Sequence, residues 1–328
     1  MRKLPKIELH CHLDGSVRAE TILDIARKEN LELPSYNIND IKKLVQVPID
    51  CTSLDEYLKK FDLANKVMQT KESIKRVTFE LVEDAANENV KYIEIRFAPM
   101  LHMKKGLSIK EVIQSVLKGM NQACEKYEIK ANLILGCMRN MSVEDAELVV
   151  KEGKEFLGKG VVAIDLCGPE VEGFATKYKK AIESARSYGY RVTIHAGEAA
   201  SGKNVIDAIN LLGAERIGHG INIKDMKEAY DLVKRTNVTL EMCPTSNLHT
   251  KAIDKISDYP FFNFYKDDLS VTLNTDNRTV SDVDLTNEIS LVKDNFNMSE
   301  EDYKRIYLNS VDATFADEDT KMWLKSLI

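Results

Sequence analysis

Short apolar runs rich in β-branched residues recur eight times along the 328-residue chain, at 7–13, 90–98, 132–138, 161–167, 191–196, 216–219, 238–242 and 270–274. Between them lie stretches with helical spacing of apolar residues, at 71–88, 108–127, 143–157, 173–188, 203–212, 225–235 and 260–267. Ile74, Val77, Leu81 and Ala85 repeat at helical intervals, Ser108 with Glu111 forms a capping-box signature, and Ser142 with Asp145 forms its acidic variant. Strands alternating with helices specify an α/β fold with a parallel sheet. Strand starts at 90, 132, 161, 191, 215, 238 and 270 are 42, 29, 30, 24, 23 and 32 residues apart. The expected interval is roughly 31 when about 250 residues build eight βα units. An open doubly wound sheet also alternates, but eight consecutive units with polar residues at the strand ends favour a closed (β/α)8 TIM barrel, which gathers all eight ends at one mouth.

The first interval breaks the rhythm. Positions 6 and 90 are 84 residues apart, which leaves roughly 50 residues beyond one ordinary unit. The segment 18–70 reads as a helical insertion of two or three helices, interrupted by Pro34 and Pro48, with Leu54, Tyr57, Leu58 and Phe61 in one apolar stripe. Inserted after the first strand, it is placed either to pack on the barrel or to act as a lid over its mouth. No repeat, low-complexity tract or linker divides the chain, so residues 1–328 are expected to form a single barrel domain.

Charge narrows the partners. With 46 basic and 52 acidic residues the net charge is −6, which disfavours a general attraction to nucleic acid or anionic membranes. No apolar stretch approaches the ~18 residues of a membrane span. Positions 1–6 lead into no signal-peptide core, so a cytoplasmic protein is expected. The six cysteines are scattered singly without a C-x-x-C pair, the pattern of reduced packing residues.

Of six histidines, four fall at the C-terminal ends of expected strands, where a barrel carries its chemistry. His10 and His12 flank Cys11, and their i, i+2 spacing turns both imidazoles to one strand face and the thiol to the other. His195 closes the fifth strand, His219 the sixth, and Asp276 follows the eighth. Imidazoles and a carboxylate converging on one mouth suit a first-row metal, zinc above all, with an open position for water. Such an ion lowers the pKa of water from 15.7 to about 7, and the chemistry then needs a proton donor on the leaving side. Glu198, three residues beyond His195 in a glycine-containing turn, is the candidate general acid. His102 and His249 match no ligand position and read as structural.

The motifs Glu8-Leu9-His10-Cys11-His12-Leu13-Asp14-Gly15-Ser16, Ser53 to Phe61, Tyr92 to Pro99, Asp165-Leu166-Cys167-Gly168, His195-Ala196-Gly197-Glu198, Arg216-Ile217-Gly218-His219-Gly220, Cys243-Pro244-Thr245-Ser246-Asn247 and Asn274-Thr275-Asp276 resemble, in order, those of the adenosine deaminase family of metal-dependent hydrolases. The resemblance runs over nearly the whole chain. It implies one zinc ion on His10, His12, His195 and Asp276. Asp276 would also take the proton of the attacking hydroxide, with His219 orienting that oxygen and Glu198 protonating purine N1. Substrate would be held by His12 and Asp14, the latter at the ribose 5′-hydroxyl, by the Gly168 backbone at N3, and by Leu54, Tyr57 and Phe61 as an apolar cover. Better-known members carry Asp-Asp where this chain has Asp276-Asn277, and an amide at 277 can still donate a hydrogen bond to N7. The implied activity is zinc-dependent deamination of adenosine and 2′-deoxyadenosine to inosine and 2′-deoxyinosine. The alternative is an adenine deaminase, or a deaminase of a modified adenosine, on the same metal site. The implied partner is a small purine nucleoside, with no nucleic acid or membrane; the oligomeric state is open.

Overall fold

The computed structural model describes residues 1–48, 51 and 54–328, the side chains of 54 and 55 excepted. Its strands are β1 (Lys6–His12), β2 (Val90–Phe97), β3 (Lys130–Met138), β4 (Val161–Cys167), β5 (Arg191–Ala196), β6 (Arg216–His219), β7 (Thr239–Met242) and β8 (Val271–Leu273). They pair in parallel and in sequential order, as the alternation requires, because each parallel step needs a helical crossover. The eight runs read from sequence correspond to these strands, and the fold is a nearly closed TIM barrel.

Closure depends on Asp276. Past the end of β8 it bridges to Cys11, its N–H donating to the His10 carbonyl (2.8 Å) and its carbonyl accepting from the His12 N–H (2.7 Å). Below this bridge the Asn274 side chain stands in for a strand, its Oδ1 accepting from the Leu9 N–H at 3.0 Å. The seam thus sets a carboxylate between two histidines by backbone pairing alone.

Alternation along the strands sorts apolar from polar. Ile93, Ile95, Ile164, Ile194, Ile217 and Leu240 join the main apolar cluster with the surrounding helices, while Ile7 and Leu9 pack with Tyr307, Val311 and Leu324. The opposite faces carry Glu8, His10, Glu94, Arg96, Asp165, His195, Arg216 and Glu241, all buried. Apart from Glu8, whose oxygens accept from Thr275 and the His10 N–H, this interior is filled with paired polar groups, where a barrel ordinarily stacks branched aliphatic side chains.

Among the described residues the insertion holds four helices, α1 (Ala19–Lys28), α2 (Ile38–Val45), α3 (Leu54–Leu58) and α4 (Asp62–Val67), where sequence spacing suggests two or three. A 3-10 turn over Lys59–Phe61 divides the apolar stripe, ending one short helix and starting the next. Ile22, Leu23, Ile41, Ala64 and Val67 bury into the main cluster, so the insertion shares the barrel's core. Both capping boxes expected from sequence are formed, at Ser108 with Glu111 and Ser142 with Asp145. Three helices follow β8, and the one over Glu300–Ala313 packs on β8 and β1, covering the seam.

Candidate active site

His10 and His12 share one face of β1, and Cys11 turns away to Ser16 (Sγ to Oγ 3.5 Å), as the i, i+2 spacing requires. His195 arrives from β5 across Gly218. A Cβ at 218 would lie 2.9 Å from His10 Cε1 and 3.3 Å from His195 Cγ, so the glycine lets the two imidazoles close on each other. His219 and Asp276 both adopt left-handed backbone, φ 65° and 60°. That conformation is costly for residues with side chains and recurs at functional sites.

His10, His195, His219 and Asp276 each bring one donor atom within 4.8 Å of the others. His12 joins from the cavity side, its Nε2 3.3 Å from His195 Nε2 and 3.3 Å from Asp276 Oδ1. Five side chains therefore compete for a four-ligand set, and the hydrogen-bond network sorts them. His10 Nδ1 lies 2.9 Å from Glu241 Oε2, and His195 Nδ1 lies 3.0 Å from both oxygens of Asp165. Facing carboxylates, both Nδ1 atoms carry the proton and both Nε2 atoms present lone pairs to the cluster. His10 Nε2 is accordingly a buried atom without a hydrogen bond, although Asp276 Oδ1 is only 3.3 Å away. Two lone pairs face each other there. A cation relieves that repulsion, and a histidine-carboxylate set fits zinc.

His219 is different. The Asn247 amide donates 3.1 Å to its Nδ1 while accepting at Oδ1 from the Tyr259 hydroxyl (3.2 Å). A neutral imidazole that accepts at Nδ1 carries its proton on Nε2, so His219 faces the cavity as a donor. Its Nε2 lies 3.5 Å from Glu198 Oε2.

Beneath the histidines the charges are fully paired. Arg96 spans Asp165 (3.1 Å) and Glu241 (2.6 Å), and Arg216 spans Glu241 (2.6 Å) and Glu94 (2.6 Å). Burial alone would raise the carboxyls of Asp165 and Glu241. The His195 Nδ1–H donor and the Arg96 charge outweigh it at Asp165, and the Arg96 and Arg216 charges at Glu241, holding both below the usual carboxylate range. Both stay ionised, which keeps the Nδ1 protons on their side and the Nε2 lone pairs turned to the cluster.

Glu198 shows the opposite balance. Burial raises its pKa against the pull of His219, with Asp276 and Glu170 adding to the rise, which suits a proton donor. Its Oε1 accepts from Asn247 Nδ2 (3.3 Å) and Thr250 Oγ1 (3.2 Å), so Oε2 is the oxygen free to hold the proton.

These groups open into a cavity of about 220 Å³ whose lining also includes Asp14, Tyr57, Phe61, Gly168 and Asn277. Asp14 sits in a buried turn where desolvation lifts its pKa to about 6. Gly168 turns with φ +88°, a conformation glycine favours. The Asn277 Nδ2 donates to the Tyr57 hydroxyl at 2.9 Å; its Oδ1 is buried without a partner. Of the residues singled out from sequence, the Leu54 side chain lies outside the described residues, as do Ser53 and the Asp55 side chain of the Ser53–Phe61 motif. His102 stacks on Phe97 and contacts the Met68 carbonyl, and neither it nor His249 joins the cluster.

Sequence reasoning gave no role to Arg96, Asp165, Glu170, Arg216, Glu241, Ser246 or Asn247. Charged residues inside otherwise apolar strand runs were the available signal for Arg96, Asp165, Arg216 and Glu241. Ser246 and Asn247 lie beyond the strands, in the Cys243–Asn247 motif, which was the available signal for them, and Glu170 lies beyond the quoted motifs altogether.

Comparison with known proteins agrees with this geometry. The adenosine deaminase family model matches residues 5–328. A Clostridium botulinum protein called adenosine deaminase is 59% identical over 327 residues, covering 100% of this chain and 99% of that one. Among solved structures, the adenine deaminase of Arthrobacter aurescens superposes with TM-score 0.92 at 25% identity, covering 99% of this chain and 98% of that one. The N6-methyl-AMP deaminase of Arabidopsis thaliana superposes with TM-score 0.88 at 31% identity, covering 99% and 96%.

Proposed function

The chain belongs to the adenosine deaminase family, and from that premise we propose that it hydrolyses adenosine and 2′-deoxyadenosine to inosine and 2′-deoxyinosine, releasing ammonia. The observation that carries this reading is the pairing, across one cavity, of an imidazole-carboxylate cluster with a buried carboxyl of raised pKa. His10, His12, His195 and Asp276 hold the metal, which we take to be one zinc ion. When bound, zinc acidifies water from a pKa of about 15.7 towards about 7, making a nucleophile available at neutral pH.

The residues divide the remaining work. Glu198 gives its Oε2 proton to purine N1, so that C6 becomes electrophilic and the ring gains no net negative charge as the nucleophile adds. His219 donates from Nε2 to the attacking oxygen and fixes its direction, while Asp276 takes the proton that oxygen sheds. Asp14 accepts from the ribose 5′-hydroxyl, the Gly168 backbone meets N3, and Asn277 uses its second amide hydrogen towards N7. Leu54, Tyr57 and Phe61 cover the ring and exclude water as part of the lid in a single-domain barrel.

Adenine and N6-methyl-AMP deamination fit less well. The relatives at about 59% identity carry the adenosine deaminase name, whereas those two activities belong to neighbours at 25% and 31%. Among the described residues lining the cavity there is no Lys or Arg, and a 5′-phosphate would meet Asp14 and Asp62 without a counter-charge. Among the described residues no helix is long and apolar enough to cross a membrane; a cytoplasmic location belongs to the same proposal.

The test is ammonia release from adenosine, adenine and N6-methyl-AMP by metal-loaded and chelator-treated protein, with Glu198→Gln beside the wild type. We expect metal-dependent release from adenosine, and a fall of about 10²- to 10⁴-fold in kcat for the variant with zinc retained. Near-normal turnover by a zinc-loaded Glu198→Gln protein sinks the proton-donor assignment. A preference for adenine moves the function to the runner-up.

A further inference from the structure

Residues 197–200, which carry Glu198, form a loop between β5 and the helix Gly202–Asn210 with no ladder or helical hydrogen bonds of its own. A loop of this kind would ordinarily be free to wander. Here its backbone N–H groups are gathered by one side chain from the neighbouring loop. Glu170 Oε1 accepts from the Gly197 N–H at 2.7 Å, and Oε2 accepts from the N–H groups of Glu198, Ala199 and Ala200 at 3.0, 2.8 and 3.1 Å. Asn204 Nδ2 adds a fifth donor to Oε1 at 2.9 Å. Four consecutive N–H groups curling around one anion form a nest, and the nest is filled by the chain's own carboxylate.

Both ends of the clamp are fixed. Asn204 is locked by accepting from the Gly173 N–H (3.0 Å) and donating to the Val171 carbonyl (3.0 Å), which ties the Glu170 loop to the helix that follows the Glu198 loop. The carbonyls of Glu198 and Ala200 are taken by Asn222 Nδ2 at 3.0 and 2.9 Å. Burial would raise the Glu170 carboxyl, but the Asn204 and backbone donors and the Arg139 charge hold its pKa below the usual value.

We propose that Glu170 is a positioning residue for the reaction: by gathering the N–H groups of 197–200 it sets the backbone from which Glu198 reaches the substrate ring. The proposal rests on Glu198 being the proton donor, because a misplacement of about 1 Å in a reacting group can cost about 100-fold in rate without loss of ground-state binding. A carboxylate can accept from all five donors at once. An amide presents an NH2 group to at least one of them.

The experiment compares Glu170→Gln, Glu198→Gln and the double variant, all zinc-loaded, by kcat, KM, zinc content and amide hydrogen exchange. For Glu170→Gln we expect kcat to fall about 10- to 100-fold with KM within about threefold of wild type, zinc content unchanged, and faster exchange confined to 197–200. In the Glu198→Gln background the Glu170 substitution should cost no more than about twofold, because a residue acting through another loses its effect when that other is gone. Equal costs in both backgrounds, or a loss spread over KM and zinc content with kcat preserved, overturn the positioning role. Normal turnover by Glu198→Gln overturns the proton-donor reading instead, so the two failures are distinguishable. Should Glu170→Gln not fold, Glu170→Asp keeps the charge, retracts it by one methylene, and is expected to show the same kcat-selective loss and local exchange.

Discussion

Beneath the donor cluster, Arg96 and Arg216 link three carboxylates from β2, β4 and β7, and every one of these side chains is fully or almost fully buried. Above it, α3 and α4 meet the barrel mouth through an apolar stripe and one buried hydroxyl, Tyr57, which contacts Asn277 (2.9 Å), Ser281 (2.8 Å) and, more distantly, Ser246 (3.5 Å). Ser246 in turn donates to Asp276 Oδ2 at 2.6 Å. The floor is over-determined, each carboxylate answering to two or more partners, so it can fix imidazole directions before any ligand arrives. Among the described residues the roof meets the mouth at Tyr57 through neutral hydrogen bonds, which break more readily than the buried ion pairs of the floor.

The sharpest way to break this contrast is Arg96→Met. Removing the guanidinium leaves Asp165 and half of Glu241 uncompensated in the interior, and we expect a loss of about 3–5 kcal/mol in unfolding free energy together with weakened zinc retention. Denaturant unfolding and metal analysis measure both, and a change below about 1 kcal/mol would show that the floor is not the rigid element.

Glu288 probes the wall between the two regions, since its Oε2 accepts from the Thr245 N–H (3.2 Å) beside Ser246, and its Oε1 is buried without a partner. Burial pushes its pKa up to about 8. Between about pH 4.5 and pH 8 the folded protein keeps this proton while the unfolded chain has lost it, so stability falls as pH rises, by at most about 1.4 kcal/mol per unit, and levels off above pH 8. The midpoint difference between Glu288→Gln and wild type should therefore widen from pH 5 to pH 8 and then hold steady in thermal melts; a constant difference would contradict a protonated Glu288.

Tyr57→Phe carries the smallest expected change. It removes one buried hydroxyl and should cost about 1 kcal/mol, raising KM for adenosine several-fold while kcat stays within about twofold. A large loss of zinc in this variant would mean that roof and floor are one unit.

Sequence spacing made the barrel legible because a parallel sheet has to repeat, and eight repeats are hard to arrange otherwise. His10, His12, His195 and Asp276 were legible because each sits at or just beyond a strand end; the structure groups donor atoms of His10, His195, His219 and Asp276, with His12 Nε2 3.3 Å from His195 Nε2 and from Asp276 Oδ1. The interior charges were harder to read, because a sequence gives the spacing along each strand but not which residues meet across the barrel. Glu170 lies 28 residues from Glu198, a pairing that no periodicity encodes. The insertion was miscounted for a local reason, since a 3-10 turn at Lys59–Phe61 ends one short helix and starts the next within a stretch whose apolar spacing in sequence reads as one helix.

Arg96 joins residues at 96, 165 and 241, and the Asp276 bridge joins the last strand to the first. Contacts this distant along the chain form late, because most of the loop-closure entropy must be lost before any of them is made. The side chains of the donor cluster, drawn from the first, fifth and sixth strands and from beyond the eighth, therefore come into register only as the barrel closes. An ion that binds the closed state and not its precursors stabilises folding at that last step by mass action, so metal supply should act mainly on how long the finished protein survives and much less on how fast it is made.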